Sequence, residues 1–146
     1  MLPTVTWITP TYRRPQTTPN LIACFLGQKY PPELLSLLIL DDAGQYGEDC
    51  RGDRWEVVST KFRFPSLPAK YNALVEMTES QVIVVAEDDD TFLKDHTRLH
   101  VLALLSQQSG GFSKPSTVLT DYPGHLVTEK ADGRFHGSIA FTRSLF

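Results

Sequence analysis

Four consecutive carboxylates form the most distinctive chemical feature of the sequence: Glu87, Asp88, Asp89 and Asp90, directly after the apolar run at residues 81–86. Like charges a few ångströms apart raise one another's pKa and destabilise a folded chain unless a cation neutralises them. Carboxylate oxygens suit Mg²⁺ or Mn²⁺, whose remaining ligands come from substrate phosphates and water. A calcium EF-hand is excluded, because its ligand spacing and central glycine are absent after Asp88. The position favours a metal–phosphate site over a solvated acidic turn.

Two further polar segments follow apolar runs in the same way. The first run leads into residues 9–14 (TPTYRR), and the second, at residues 34–40, leads into Asp41 and Asp42. If the runs are strands of one parallel sheet, their carboxyl ends lie at one edge, where open α/β sheets bind ligands. The sequence therefore predicts a single binding site built from three separate segments.

Hydrophobic patterning supplies the elements that would position these segments. Strands are predicted at residues 4–9, 34–40, 55–59 and 81–86, with weaker ones at 117–120 and 137–142. Helices are predicted from Thr18 to the residue before Gly27, at 69–77 and at 96–105, with Thr18 and Asp95 as N-caps. Pro10 is expected to end the first strand. This alternation predicts an α/β fold with an open, mostly parallel sheet and helices on both faces.

Length and composition limit the remaining possibilities. The chain has 146 residues and a formal net charge of −3, so we expect a single domain, residues 1–146, that does not bind nucleic acid. The longest apolar stretch is too short to cross a membrane, and Arg13 and Arg14 follow the N-terminal apolar run, unlike the basic residues of a signal peptide. Two cysteines without metal-type spacing predict a reducing, cytoplasmic setting.

Four segments, in order, resemble the motifs of one enzyme family. Residues 5–15 (VTWITPTYRRP) resemble its opening strand and "PTYNRP" turn, and residues 37–44 (LLILDDAG) its "VVDDGS" segment. Lys70-Tyr71-Asn72 resembles its "KRN", and the spacing from there to the acidic run matches the approach to its DXD motif. Residues 137–146 (GSIAFTRSLF) resemble its "GTMAYRRS". The sequence is similar to family 2 glycosyltransferases of the GT-A fold.

The resemblance implies a nucleotide-sugar donor, usually a UDP-sugar, bound with Mn²⁺ or Mg²⁺. Residues 4–90 would form the nucleotide-sugar-binding half, and residues 91–146 part of the acceptor-side half, short at its C-terminal end. The acceptor would be a glycan, lipid or protein. The resemblance implies donor-binding roles for Thr9, Pro10, Thr11, Tyr12, Arg14, Asp41, Asp42, Lys70, Asn72, Glu87 and Asp88.

Within that set the resemblance assigns individual roles. Residues 9–12 would line the nucleoside pocket, and Asp42 or Asp41 would accept a hydrogen bond from the base. Lys70 and Asn72 would lie beneath the pyrophosphate or ribose, and Asp88 close to the ribose. Asp89 is the first candidate for direct metal coordination, with Asp88 and Asp90 as further candidates.

The resemblance does not supply a catalytic base. Inverting members of the family use an Asp or Glu that follows the "AYRRS" segment, whereas this sequence ends at Phe146, just beyond Arg143-Ser144. The acidic residues Asp121, Glu129 and Asp132 precede that segment and do not match. No catalytic residue is therefore named. A late histidine, His136, is a candidate third metal ligand.

Two alternatives to a metal-dependent, inverting glycosyltransferase stay open at this point. Without an identified base, the chain could be a non-catalytic nucleotide-sugar-binding module. A phospho-accepting receiver domain is the other, since LLILDDA also resembles the acidic pair that ends a receiver's first strand. His96 and His100 lie one helical turn apart, and the absence of a carboxylate partner favours helix packing over metal binding.

Overall fold

The computed structural model describes residues 1–47, 50–107, 110–132 and 138–146. Its main element is a six-stranded sheet in the order β3-β2-β1-β4-β8-β5. The four strands from β3 to β4 are parallel, whereas β8 pairs antiparallel with both β4 and β5. The strands are β1 (Val5–Thr11), β2 (Leu35–Asp41), β3 (Trp55–Ser59), β4 (Val82–Val85), β5 (Phe112–Ser113) and β8 (Ala140–Thr142).

Helices cover both faces of this sheet, as the sequence predicts. They are α1 (Thr18–Leu26), α2 (Leu67–Glu76) and α3 (His96–Leu105). Trp7 of β1 is fully buried in one core with Phe25 of α1 and Val101 of α3. Ile8, the next residue, faces the opposite way and is buried in a second core with Leu74 of α2. Side chains of a strand alternate between faces, so β1 contributes to both cores.

The first strand continues beyond the position where the sequence predicts its end. β1 extends through Pro10 to Thr11, and Pro10 is in register with Leu40 of β2. By strand alternation the nitrogen of residue 10 faces β4, and the β1–β4 ladder has already ended with Ile8 opposite Val85. A proline at this position therefore removes no ladder hydrogen bond.

Of the two predicted N-caps, Thr18 is wrong, and Asp95 is correct in position but not in its hydrogen bonds. Thr18 is the first residue of α1, and its hydroxyl lies 2.7 Å from the hydroxyl of Tyr46. Asp95 does occupy the N-cap position of α3, but its carboxylate accepts from Lys29 and Arg98 and caps no backbone N–H. In each case a tertiary partner replaces the local backbone bond.

A separate antiparallel hairpin lies outside the main sheet. Its strands are β6 (Thr117–Tyr122) and β7 (His125–Lys130), with Tyr122 opposite His125 across the turn.

The mixed main sheet, with β8 antiparallel beside β4, does not fit the 2-1-3-4-5 sheet of receiver-type folds. The receiver alternative is therefore discarded.

Candidate functional site

A crevice opens at the carboxyl ends of β1 and β4, where the strand order reverses. Chain connections leave β1 in one direction toward β2 and return to its other side at β4, which is the topological switch point where ligands bind in such sheets. The cavity has a volume of about 370 Å³. It is lined by Pro10, Thr11, Tyr12, Arg14, Arg63, Leu67, Lys70, Tyr71, Glu87, Asp88 and Asp89. The three polar segments of the sequence do meet at one edge.

Asp88 is the most firmly held carboxylate of the acidic run. It is buried, and its Oδ2 accepts a 2.6 Å hydrogen bond from the Thr11 hydroxyl. Its Oδ1 accepts from Arg14 Nη1 at 3.1 Å, and the same nitrogen donates to Asp89 Oδ2 at 2.7 Å. Arg14 and Asp89 are each about half exposed, with side-chain exposures of 50% and 52%. The run is thus joined to the end of β1 by one hydroxyl and one guanidinium.

Lys70 joins the ends of β1 and β2 beneath the crevice. Its Nζ donates to the carbonyl oxygen of Thr11 and to Asp42 Oδ1, each at 2.5 Å, and both charged side chains are 5% exposed. Asp42 Oδ2 accepts from the backbone N–H of Phe64 at 3.0 Å. Burial alone would raise the pKa of Asp42, but the Lys70 and Phe64 hydrogen bonds hold it below its ordinary value.

Asp41 organises the loop that follows β2. It is fully buried, with Oδ1 accepting from the N–H of Ala43 and Oδ2 accepting from the N–H of Gln45 and the hydroxyl of Ser59. These three donors occupy both carboxylate oxygens. The arrangement favours Asp42 over Asp41 as the carboxylate nearer to a ligand, because Lys70, the partner of Asp42, itself lines the cavity.

The sequence does not predict the contacts that two arginines make with the Tyr12 ring at the crevice. The guanidinium carbon of Arg63 lies 3.9 Å from the ring centroid of Tyr12, within the range of a cation–π contact, and that of Arg13 lies 5.2 Å away. Arg63 belongs to a loop with no motif of its own, and it reaches Tyr12 only because β1 and α2 are adjacent in the fold. Tyr71, which stands where the family has arginine, also lines the cavity.

The acidic run carries an excess of like charge. Burial, followed by the charges of Asp90, Asp89 and Asp88, raises the pKa of Glu87. Partial burial and the neighbouring carboxylates likewise raise the pKa of Asp90. Burial, then Glu87 and Asp88, raises the pKa of the Tyr71 hydroxyl. The crevice therefore disfavours further negative charge on its own side chains.

The chemistry of this donor set fits a divalent cation that is shared with a ligand. Within the described ranges, no group of three or more His, Cys, Asp or Glu side chains is arranged to hold a metal ion alone. Asp88 and Asp89 can supply one or two carboxylate ligands, which is the usual number for Mg²⁺ when phosphates and water complete the shell. His136, the suggested third ligand, lies outside the described residues.

Other predicted residues lie at or near the same edge. The Thr9 hydroxyl donates to the Ala86 carbonyl at 2.7 Å, which fastens β1 to β4 immediately below the acidic run. Asn72 is exposed on α2 and does not line the cavity, unlike Lys70 two residues earlier. Asp90 lies at the end of the run and also outside the cavity lining.

The opposite edge of the sheet differs in chemistry. There the Thr6 hydroxyl lies within 2.7–2.8 Å of three other hydroxyls, those of Ser36, Thr78 and Ser80. A cavity of about 540 Å³ beside them is larger than the crevice, and its charged lining residues are Glu33, Asp53 and Arg54. The crevice remains the better candidate, because it lies at the switch point and is lined by three carboxylates of one run, whereas size alone does not mark a site.

The two helical histidines belong to the core. His96 stacks edge-on against Trp7 at 5.5 Å and against His100 at 4.6 Å between ring centroids. Burial lowers the pKa of His96 to about 3, with a smaller contribution from His100, and burial lowers that of His100 to about 4. Their packing explains the i, i+4 spacing, as the sequence favoured.

Solved glycosyltransferase structures share this fold. Mannosyltransferase PcManGT from Pyrobaculum calidifontis, in complex with GDP-Man and Mn²⁺, matches with a TM-score of 0.72 at 17% identity, covering 99% of this chain and 46% of that chain. S. aureus TarS matches with a TM-score of 0.67 at 12% identity, covering 97% and 48%. A TarS complex with UDP gives 0.65 at 13% identity, covering 97% and 47%.

These likenesses establish the fold, and this chain spans about half the length of the structures it matches. No protein-family model matches the sequence, and no curated protein matches it. None of the described helices is long and apolar enough to cross a membrane.

Proposed function

We propose that the chain is the donor-binding part of a metal-dependent glycosyltransferase, which transfers a sugar from a nucleotide-diphosphate sugar. The observation that carries the proposal is the crevice at the switch point, where Thr11, Arg14, Asp88 and Asp89 converge. The likeness to PcManGT, solved with GDP-Man and Mn²⁺, and to TarS, solved with UDP, supports it. Residues 4–90 would form the donor half and residues 91–146 part of the acceptor side.

The nucleoside would bind at the end of β1. Pro10, Thr11 and Tyr12 line the cavity there, and the Tyr12 ring offers a flat surface for a base. Thr9 supports them from below through its bond to Ala86. Asp42 would accept from the base, whereas Asp41 would hold the loop, since its oxygens already have three donors. UDP is the first candidate, and GDP is the alternative because of PcManGT.

Lys70 would act beneath the donor as a positioning residue. Its ammonium group already bonds to Thr11 and Asp42 and is almost fully buried, so it fixes the spacing of the β1 and β2 ends. Asn72, exposed two residues later, would approach the ribose or pyrophosphate from α2.

Asp89 would hold Mn²⁺ or Mg²⁺, with Asp88 and Asp90 as further candidates and Glu87 beside the ribose. A bound divalent cation would stabilise the negative charge that develops on the departing diphosphate. Thr11 keeps Asp88 oriented toward the crevice, and the surrounding carboxylates leave the site with negative charge that a cation would neutralise.

The proposal is tested by calorimetry with UDP and GDP in the presence and absence of Mn²⁺. We expect metal-dependent binding of at least one nucleotide, and Asp89→Ala should weaken it by about tenfold or more. Asp121→Ala, in the β6–β7 hairpin, is the matched control and should bind like the unaltered chain. The proposal is wrong if neither nucleotide binds, or if Asp89→Ala behaves like the control.

Transfer and binding are separated by a second measurement. The chain is incubated with a panel of UDP- and GDP-sugars, and the released nucleotide is detected. Hydrolysis or transfer is expected if a catalytic base is present. Nucleotide binding without turnover would favour the alternative, a non-catalytic nucleotide-sugar-binding module. Inversion of the anomeric centre, a reducing cytoplasmic setting, and the acceptor class remain predictions of the sequence.

A further inference from the structure

Arg14 occupies the place in the crevice where a cation would meet the acidic run. One of its nitrogens, Nη1, bonds both to Asp88 Oδ1 at 3.1 Å and to Asp89 Oδ2 at 2.7 Å. These are the carboxylates proposed above as metal ligands. A divalent ion held by the same two carboxylates would lie beside the guanidinium and be repelled by it, so the two cations compete for this site.

The surroundings of Arg14 allow its side chain to move while its backbone stays in place. Its carbonyl oxygen accepts from both the N–H and the hydroxyl of Thr17, at 3.2 and 2.9 Å, just before α1 begins. The side chain, by contrast, is half exposed and lines the cavity. A change of rotamer would move the guanidinium off the carboxylates without moving the backbone.

The charge balance of the crevice favours such an exchange. An arginine guanidinium stays charged in a folded protein, whether it is paired with the carboxylates or displaced from them. When displaced from the carboxylates, it would face a ligand bound between β1 and β4. Phosphate oxygens are favourable partners for a guanidinium, which pairs with them through two parallel hydrogen bonds.

We propose that Arg14 is a resident counter-cation that couples metal binding to diphosphate binding. Its guanidinium holds Asp88 and Asp89 while the crevice is empty, releases them to the divalent cation, and then pairs with the diphosphate of the donor. No covalent step is involved. This inference rests on the proposed function, because it requires that the crevice binds both a divalent cation and a nucleotide.

The first test measures Mn²⁺ binding to the nucleotide-free protein, from the electron paramagnetic resonance signal of free Mn²⁺. Arg14→Ala removes the competing cation, so Mn²⁺ should bind about threefold to tenfold more tightly than to the unaltered chain. Arg13→Ala is the matched control: it removes the same charge from the neighbouring residue, which contacts the Tyr12 ring. Its Mn²⁺ affinity should rise less than that of Arg14→Ala.

The second test repeats the Mn²⁺ titration with saturating UDP, and in parallel with GDP. In the unaltered chain the nucleotide should strengthen Mn²⁺ binding, and Arg14→Ala should reduce that gain by about tenfold, because the displaced guanidinium no longer pairs with the diphosphate. Arg14→Lys retains the charge without the planar fork, so it should compete with Mn²⁺ while losing part of the gain. Thermal unfolding checks that each variant is folded. If Arg14→Ala does not fold, the comparison is made with Arg14→Lys instead.

The possible outcomes separate this inference from the proposed function. If the unaltered chain binds Mn²⁺ and nucleotide but Arg14→Ala binds nucleotide-free Mn²⁺ no more tightly than Arg13→Ala does, Arg14 is not a competing cation and the inference fails alone. An unchanged nucleotide-dependent gain in Arg14→Ala would also overturn it. If the unaltered chain binds no nucleotide, the proposed function fails and this inference fails with it.

Discussion

The polar side chains at the two ends of the parallel sheet have different kinds of partners. At the amino end, Thr6 on β1 joins the hydroxyls of Ser36, Thr78 and Ser80, and every group is neutral. At the carboxyl end, beyond Thr11 of the same strand, the groups are ionised and carboxylates outnumber their cationic partners. The same strands therefore end in a closed neutral network on one side and in an open charged one on the other.

The contrast indicates that the amino end favours stability and that the carboxyl end would suit ligand binding. Hydroxyls that serve as both donors and acceptors satisfy one another and leave nothing for a ligand to neutralise. A row of carboxylates that raise one another's pKa costs folding free energy, and a chain retains such strain where a ligand relieves it. Substitutions in the acidic run should therefore affect binding, whereas those in the hydroxyl network should affect stability alone.

The largest predicted loss of stability comes from breaking the buried ion pair between Lys70 and Asp42. Lys70→Met leaves Asp42 buried without its cation and should lower the free energy of unfolding by about 3 kcal/mol. Urea unfolding, followed by the fluorescence of the buried Trp7, measures it. Lys29→Met, which breaks an exposed pair with Asp95, should cost less than about 0.5 kcal/mol. Equal losses in the two variants would contradict the structural role of Lys70.

The free energy of unfolding should also depend on pH, and the hydroxyl network should not contribute to that dependence because it carries no charge. His96 and His100, with folded pKa values of about 3 and about 4 against an ordinary 6.5, take up protons more readily in the unfolded chain. Their contribution to stability is thus present above pH 6.5 and falls as the pH drops below it, by about 2 kcal/mol for each histidine between pH 7 and pH 5. The measurement is urea unfolding at several pH values.

His96→Phe should remove a large part of the stability loss between pH 7 and pH 5 while leaving the fold intact. The contribution of Asp42 falls in a separate range, because its pKa is held below the ordinary 3.8 and its stabilisation is lost only in stronger acid. A slope between pH 7 and pH 5 that His96→Phe does not alter would show that the histidines are not the cause.

At the amino end, Thr6→Val removes the hub of the hydroxyl network without changing side-chain shape. We expect a loss of about 1 kcal/mol in the free energy of unfolding and no change in nucleotide or Mn²⁺ affinity. Calorimetry and urea unfolding on one preparation give both values. Thr117→Val, on the exposed β6 strand, should change neither. A clear loss of nucleotide affinity in Thr6→Val would break the division between the two ends.

The smallest expected effect has the opposite sign. Glu87→Gln removes a carboxylate whose pKa is raised, so its ionised form destabilises the folded state at neutral pH. We expect a gain in stability of about 0.5 kcal/mol after solvent screening, shrinking at high salt, together with weaker nucleotide binding. Glu56→Gln on β3, an exposed acid outside the run, is the control. Destabilisation by Glu87→Gln would contradict the proposed strain.

Much of the sheet edge that carries the crevice could be predicted from the sequence, because its strands are apolar runs with polar ends. The bounds predicted for β3 and α3 agree with the structure, and the three polar segments do converge. The fold class is confirmed for the same reason. A buried parallel strand has a continuous apolar pattern that is hard to mistake once turn residues bound it.

The remainder could not be predicted, since it depends on contacts between distant segments. Pro10 signals a strand end in isolation, and only the absence of pairing on its β4 side makes it acceptable within β1. Arg63 shows no motif, and its contact with Tyr12 exists only after folding. The sequence does not predict strand β7, because its adjacent apolar residues Leu126 and Val127 break the apolar–polar alternation that marks a half-buried strand.

The central position of β1 also determines when the crevice can exist. β1 pairs with β2 thirty residues away and with β4 across 77 residues, and the hydrogen bond between Thr11 and Asp88 spans the same 77 positions. Closing such a loop is slow and entropically costly, so no partly folded chain should contain the crevice. A ligand of the crevice would therefore bind only the native state, and would raise the melting temperature in proportion to the logarithm of its concentration.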